Sequence, residues 1–162
     1  MSRLCIVSTC RSDFGIISGL VKKLSIDKKI KSTFVVYDIH ENKNLGKSIN
    51  EIVKQKIKIN YLVRSPKKNF KNKEIELSNK LGSIIVKISK ILNTSNPKLI
   101  ILYGDRIELM SFAISSILMK IPIVHINGGE ITTGAYDELT RHSITKISSY
   151  HFVSSKKNKN IL

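Results

Sequence analysis

Short, continuous apolar runs alternate along this chain with longer stretches whose apolar residues recur every three or four positions. Residues 4–9 form a β-branched run that ends in a polar turn, after which Ile16, Ile17, Leu20, Val21 and Leu24 fall on one helical face. Asp13 stands where a side-chain oxygen can cap the free N–H groups of that helix, with Gly15 easing the turn. Residues 33–37 read as a strand, 49–56 as a weak helix and 57–63 as another strand. Leu77, Leu81, Ile84, Ile85, Ile88 and Leu92 mark a long amphipathic helix that stops near Asn96-Pro97, because the residue before a proline is pushed out of the helical region. A strand at 99–103, a helix at 109–119 and a strand at 122–126 follow, and 154–162 reads as the start of a helix. Runs apolar on both faces suit buried parallel strands, and strands alternating with helices suit right-handed crossovers. The predicted fold class is α/β: a Rossmann-like, doubly wound parallel sheet with the 99–103 strand near its centre.

A chain of 162 residues, 41% of them hydrophobic, is long enough for one domain with a real core and too short for two of ordinary size. Its net charge of +16 raises nucleic acid or an anionic membrane as partners. Only five of the 28 basic residues are arginines (Arg3, Arg11, Arg64, Arg106, Arg141), and the lysines are spread along the chain apart from a denser stretch between Lys54 and Lys80. Arginine is the residue of bidentate phosphate and base-edge contacts, so its scarcity argues against a nucleic-acid partner. The 67–73 stretch, with Asn69 and Asn72 among its lysines, reads as a solvated loop. Cys5 and Cys10 form neither a disulfide framework nor a metal-spaced cluster. No apolar stretch reaches the length of a membrane span, and Arg11 and Asp13 interrupt the N-terminal run too early for a signal peptide. The expectation is a cytoplasmic protein with no membrane partner and no bound metal.

In an open parallel sheet the ligand sits beyond the carboxyl ends of the strands. Three segments fall at such ends. They are Ser8-Thr9-Cys10-Arg11-Ser12-Asp13-Phe14-Gly15, then Tyr103-Gly104-Asp105-Arg106, then His125-Ile126-Asn127-Gly128-Gly129-Glu130, continuing through Thr133-Gly134-Ala135-Tyr136-Asp137-Glu138 to Arg141-His142. Between Ile101 and His142 lie five of the chain's twelve acids but only three of its 28 bases. Carboxylates gathered at one crevice raise one another's pKa, so that one stays protonated as an acid while another acts as a base. Each element also has a plainer reading. Asp105 can cap the next helix, and Gly128-Gly129 can be a tight turn as readily as a close approach to a ligand. His125 fits a hydrogen-bonded interior histidine better than a catalyst, and Arg141-His142 can pair with Asp137 or Glu138 at helical spacing.

Taken in order, the TCRSDFG loop, GDRIE after a strand, HINGGE, and then GAYDELTRHSITKISSYHFV resemble the hydrolysing UDP-N-acetylglucosamine 2-epimerases that begin sialic-acid and legionaminic-acid synthesis. The resemblance runs from Leu4 to about Ser155 and is strongest from Tyr103 onward. It implies the glycosyltransferase-B architecture, in which substrate lies between two Rossmann-like halves; residues 1–162 would supply the N-terminal half, with the C-terminal domain absent. It further implies a UDP-2-acetamido sugar as substrate, elimination of UDP across C1–C2 to a glycal, and addition of water with inversion at C2 to give a ManNAc-type sugar, with no cofactor. On the matching positions it makes Asp105, Glu130 and Asp137 catalytic, and Arg11, Asp13, Arg106, Asn127, Gly128, Gly129, Arg141 and His142 substrate-binding. Many relatives have Glu where Asn127 stands; an amide cannot act as a base, so that task would pass to Glu130. The missing half carries most of the UDP-binding surface and a further catalytic His in the family, so little activity is expected of this chain unless another chain supplies it; a homodimer is left open. The competing readings are a non-catalytic remnant or binding domain and, less well supported, a basic nucleic-acid binder.

Overall fold

The computed structural model describes residues 1–132, 136–160 and 162, with Tyr136 described by its backbone alone. Six strands, β1 (Ser2–Ser8), β2 (Ile30–Tyr37), β3 (Tyr61–Val63), β4 (Leu99–Tyr103), β5 (Ile123–Ile126) and β6 (Tyr150–Phe152), form one sheet in the order β3-β2-β1-β4-β5-β6. Every neighbouring pair is parallel, with Cys5 of β1 in register with Thr33 of β2 and Ile100 of β4. The connections carry α1 (Arg11–Ile26), α2 (Ile49–Lys54), α3 (Lys73–Ser95), α4 (Ile107–Leu118) and α5 (Tyr136–Ile147), with the single turn α6 (Lys156–Lys159) after β6. The predicted 99–103 strand is thus one of the two central strands.

Successive strand residues point to opposite faces, and both faces are covered. Ile6, Phe34, Val36, Ile101 and Val124 pack with Phe14, Ile17 and Val21 of α1 and Ile52 of α2. Cys5, Val7, Val35, Ile100, Leu102 and Ile123 pack on the other face with Ile84, Ile88 and Leu92 of α3, Leu109 and Phe112 of α4, and Ile144 of α5. This is why the central strands read as unbroken apolar runs. Each such side chain contributes about 1.5–3 kcal/mol on burial.

Where sequence and structure differ, single residues decide. The helix expected over 49–56 stops at Lys54, and Lys56 turns into the left-handed region at φ 57°. The strand expected over 57–63 pairs only from Tyr61, because the Asn60 side chain takes the Phe34 N–H (2.8 Å) that a longer strand would occupy. Asn72 caps α3 by accepting from Ile75 N (2.8 Å), and Asn96, left-handed at φ 42°, ends it before Pro97. α1 starts at Arg11, with Cys10 as its N-cap and no side-chain capping bond, so Asp13 lies inside the helix and is not its cap; Gly15 is helical too, with open space around it. Strand β6 was not foreseen. Its three residues are exposed at the sheet edge and leave no periodic signature.

Candidate active site

Because all six strands are parallel, their carboxyl ends and the N-termini of the following helices open on one side of the sheet. Negative charge is favoured there by the helix dipoles. The strand order reverses between β1 and β4, and the segments after those two strands carry Asp13 and Asp105-Arg106 on either side of the crevice this creates. Tyr103, at the end of β4, reports how the acids gather: burial first, then the negative charges of Asp13, Glu130 and Asp105, push its phenol pKa up. That phenol keeps its proton at neutral pH.

Arg141, on the second turn of α5, joins two of the three segments. One Nη donates to Asp105, while the other donates to the Glu130 carbonyl (2.9 Å) and to Thr132 Oγ1 (2.7 Å). Its side chain is 7% exposed and its Nε has no partner among the described residues. Asp105 therefore does not cap α4, whose N-cap is Arg106 without a side-chain bond. Nor does Arg141 pair with Asp137 or Glu138. His142 does, its Nε2 lying 3.5 Å from Glu138 Oε1. The Glu130 carboxylate accepts from Ser154 Oγ (2.6 Å) and faces Asn127 Nδ2 at 3.3 Å. Asn127 has φ 68°, a left-handed conformation that Asn tolerates better than most residues, and its amide is turned to Glu130.

On the β1 side Asp13 is 6% exposed and accepts from the Thr9 hydroxyl. Burial pushes its carboxyl pKa up, partly countered by hydrogen bonds and by the charge of Arg106. Arg11 and Arg106 line one cavity of about 230 Å³ with Cys10, Ser12 and Ser48 at the start of α1. The Arg11 Nε lies 2.8 Å from Glu51 Oε1 of α2, so its guanidinium is held on the α2 side and away from the Asp105–Arg141 pair. Asp137, exposed in the first turn of α5, adds its charge to those acting on Arg106.

Local packing and backbone conformation favour glycine at both positions of the pair. A Cβ on Gly128 would lie 2.7 Å from both His125 Nδ1 and Thr145 Oγ1, and Gly129 has φ 73°. His125 is a buried strut: Nε2 meets the Gly104 carbonyl at 2.8 Å, so it carries the proton, and Nδ1 accepts from Thr145 (3.1 Å). Burial first, then neighbouring positive charge, pushes its pKa down, matching the interior reading. His142 lines a separate cavity of about 460 Å³ with Lys146 and His151, away from Asp105 and Glu130. The called Thr133-Gly134-Ala135 lie outside the described residues. Among the described residues, no cluster of three or more His, Cys, Asp or Glu is placed to hold a metal.

Tyr103 and Glu108 stood in the segments singled out from sequence but without a role of their own, while Ser154 and Lys80 escaped sequence reading; Lys80 and Glu108 form a pair 2.9 Å apart behind Arg106. A signal existed for the pair. Lys80 is spaced by fours with Ile84, Ile88 and Leu92 on the apolar stripe of α3, and Glu108 stands four before buried Phe112.

Fold and crevice together define a Rossmann-like unit whose acids and arginines meet at the topological switch point. The chain belongs to the UDP-N-acetylglucosamine 2-epimerase family, whose model matches residues 22–162. It is 29% identical over 157 residues to a Legionella pneumophila UDP-N,N'-diacetylbacillosamine 2-epimerase (hydrolyzing), covering 97% of this chain and 41% of that protein. It is 34% identical over 155 residues to a Campylobacter jejuni GDP/UDP-N,N'-diacetylbacillosamine 2-epimerase (hydrolyzing), covering 94% of this chain and 39% of that one. The structure of Neisseria meningitidis UDP-GlcNAc 2-epimerase bound to UDP-GlcNAc superposes with a TM-score of 0.83 at 20% identity, over 99% of this chain and 42% of that one. The chain thus has the fold of one half of such a protein and spans about two fifths of the length of these relatives. No helix among the described residues is long and apolar enough to cross a membrane.

Proposed function

We propose that this chain is the N-terminal half of a hydrolysing 2-epimerase acting on a UDP-2-acetamido sugar, with the second wall of the site supplied by a C-terminal domain. The observation that carries the reading is the Arg141 bridge, which brings Asp105 and the Glu130 loop together at the carboxyl ends of β4 and β5 in a chain of this family. In the reaction a base takes the C2 proton, the C2–H electrons form the C1=C2 bond, and the C1–O bond breaks to release UDP. Water then adds across the glycal, its oxygen to C1 and a proton to C2 on the opposite face, giving a ManNAc-type sugar. Asp105 and Glu130 stand as the proton-transfer groups, with Asp137 at the mouth of the crevice. Arg106, and Arg11 across the same cavity, offer positive charge to the departing diphosphate. Arg141 and Asn127 act on the carboxylates, the first through the Asp105 ion pair and the second through its amide facing Glu130.

The test joins this chain to a matching C-terminal half and measures UDP release with UDP-N-acetylglucosamine or its diacetamido relative. Removing a general acid or base costs about 10²–10⁴-fold in rate, so Asp105→Asn and Glu130→Gln should each lower kcat at least about 100-fold with KM little changed. Full activity in Glu130→Gln would remove that residue from the chemistry.

A further inference from the structure

Lys80 and Glu108 lie behind the crevice wall, yet they connect to it. Glu108 is 5% exposed on the first turn of α4, with Oε1 2.9 Å from Lys80 Nζ of α3. The ammonium also sits 5.4 Å from the centre of the Tyr37 ring, whose hydroxyl lies 2.6 Å from Ser65 Oγ, so the lysine is held from two sides. The other Glu108 oxygen, Oε2, is buried without a hydrogen-bond partner among the described residues. At 3.7 Å from it lies Arg106 Nε, a buried donor that likewise has none. An unmet donor beside an unmet acceptor is unfavourable, and a turn of the arginine side chain by less than an ångström would bring the two to ordinary hydrogen-bond length of about 2.7–3.2 Å.

A plain interior ion pair tying α3 to α4 would need no second cation. Here one carboxylate serves two: Lys80 fixes Oε1, which leaves Oε2 to Arg106 alone. A guanidinium held through Nε presents both Nη groups in one plane, the geometry that suits a phosphate. We propose that Glu108, clamped by Lys80, is a positioning residue for Arg106, its free oxygen taking the Arg106 Nε–H by that small turn and so aiming the Nη groups at an anion. This deepens the reading of Arg106 as a contact for the departing diphosphate and rests on it.

The test titrates inorganic pyrophosphate into the 162-residue chain and follows the Arg106 Nε–Hε resonance by NMR, assigned by its loss in Arg106→Lys. The variant is Lys80→Met with Glu108→Leu, which removes both charges together, keeps the net charge, and leaves an apolar α3–α4 contact of the kind that replaces interior ion pairs without loss of fold. Overall Coulomb attraction for the anion is therefore unchanged. Positioning predicts that this variant binds pyrophosphate about tenfold more weakly and that the Nε–Hε resonance no longer shifts on titration. Lys80→Arg should stay within about twofold of the wild type, because an arginine keeps the clamp. Unchanged affinity and an unchanged resonance in the double variant would overturn the proposal. If pyrophosphate does not move the resonance in the wild type, the diphosphate reading of Arg106 fails. Positioning is then judged on ligand-free protein: slow solvent exchange of the Arg106 Nε–H that is lost in the double variant supports it, and equal exchange in both overturns it. Should the double variant not fold, Lys80→Gln with Glu108→Gln, which also keeps the net charge, is read in the same ways.

Discussion

Replacing Arg141 by methionine is the sharpest test of how this crevice is assembled. The substitution keeps the aliphatic bulk of a side chain that is 7% exposed and removes its bonds to Asp105, the Glu130 carbonyl and Thr132. Thr132 is exposed and regains water, so its loss adds nothing. Breaking a buried charged pair costs about 3–5 kcal/mol. The Asp105 side chain is 23% exposed and recovers part of its hydration, which brings the loss to roughly 2 kcal/mol. The deserted Glu130 carbonyl adds about 1 kcal/mol. The sum, roughly 2–3 kcal/mol, is a large share of the ~5–15 kcal/mol that holds a domain folded, and corresponds to a fall in Tm of about 5–10 °C. Urea unfolding at pH 7 measures it, with an unchanged m-value showing that the unfolded state is not what moved. Asp105→Asn combined with Arg141→Met should cost less than the sum of the two single changes by about 1–2 kcal/mol. A loss below about 0.5 kcal/mol, the range of an ordinary surface substitution, would refute the reasoning, as would strict additivity with Asp105→Asn.

Three other outcomes follow from the interior. His40 is fully buried between Ser8 Oγ (3.0 Å) and Ser48 Oγ (2.8 Å), and burial pushes its pKa down to about 4. The folded state thus prefers the neutral ring, and its contribution is whole above the unfolded value near 6.5 and is lost as pH falls from there toward 4, by about 3 kcal/mol. Urea midpoints at pH 7.5 and pH 5 should separate for the wild type and draw together in His40→Asn, and an unchanged separation would remove His40 from the account. Gly128→Ala forces a methyl to 2.7 Å from His125 Nδ1 and Thr145 Oγ1, and by the usual cost of overpacking should lose about 1–3 kcal/mol in a thermal melt. Gly19→Ala, on an open helical surface with nothing nearby, should be neutral or stabilising by about 0.4–1 kcal/mol, and a loss equal to that of Gly128→Ala would show that space is not the cause.

The α/β class, the parallel order of strands and the three loops that carry the crevice acids were legible in the sequence because they depend on local pattern. A short β-branched apolar run bounded by turn residues suits an inner strand, the residue before a proline is pushed out of the helical region, and residues following such strands in a parallel sheet must share one side. Strand β6 and the shortened β3 were not legible, since an edge strand buries too little to leave a pattern and one asparagine side chain replaced a stretch of ladder. Which of the called residues touch was likewise beyond reach. Asp105 meets Arg141 across 36 positions, while Arg11, one residue after the β1 turn, goes to Glu51 instead. Glu108 and Lys80 stand 28 positions apart, and each alone looks like a stray charge on an apolar stripe. Composition and spacing report what a residue's neighbours along the chain demand. The partner of a buried charge is set by which helix faces meet when both sides of the sheet are covered, and only the tertiary structure decides that.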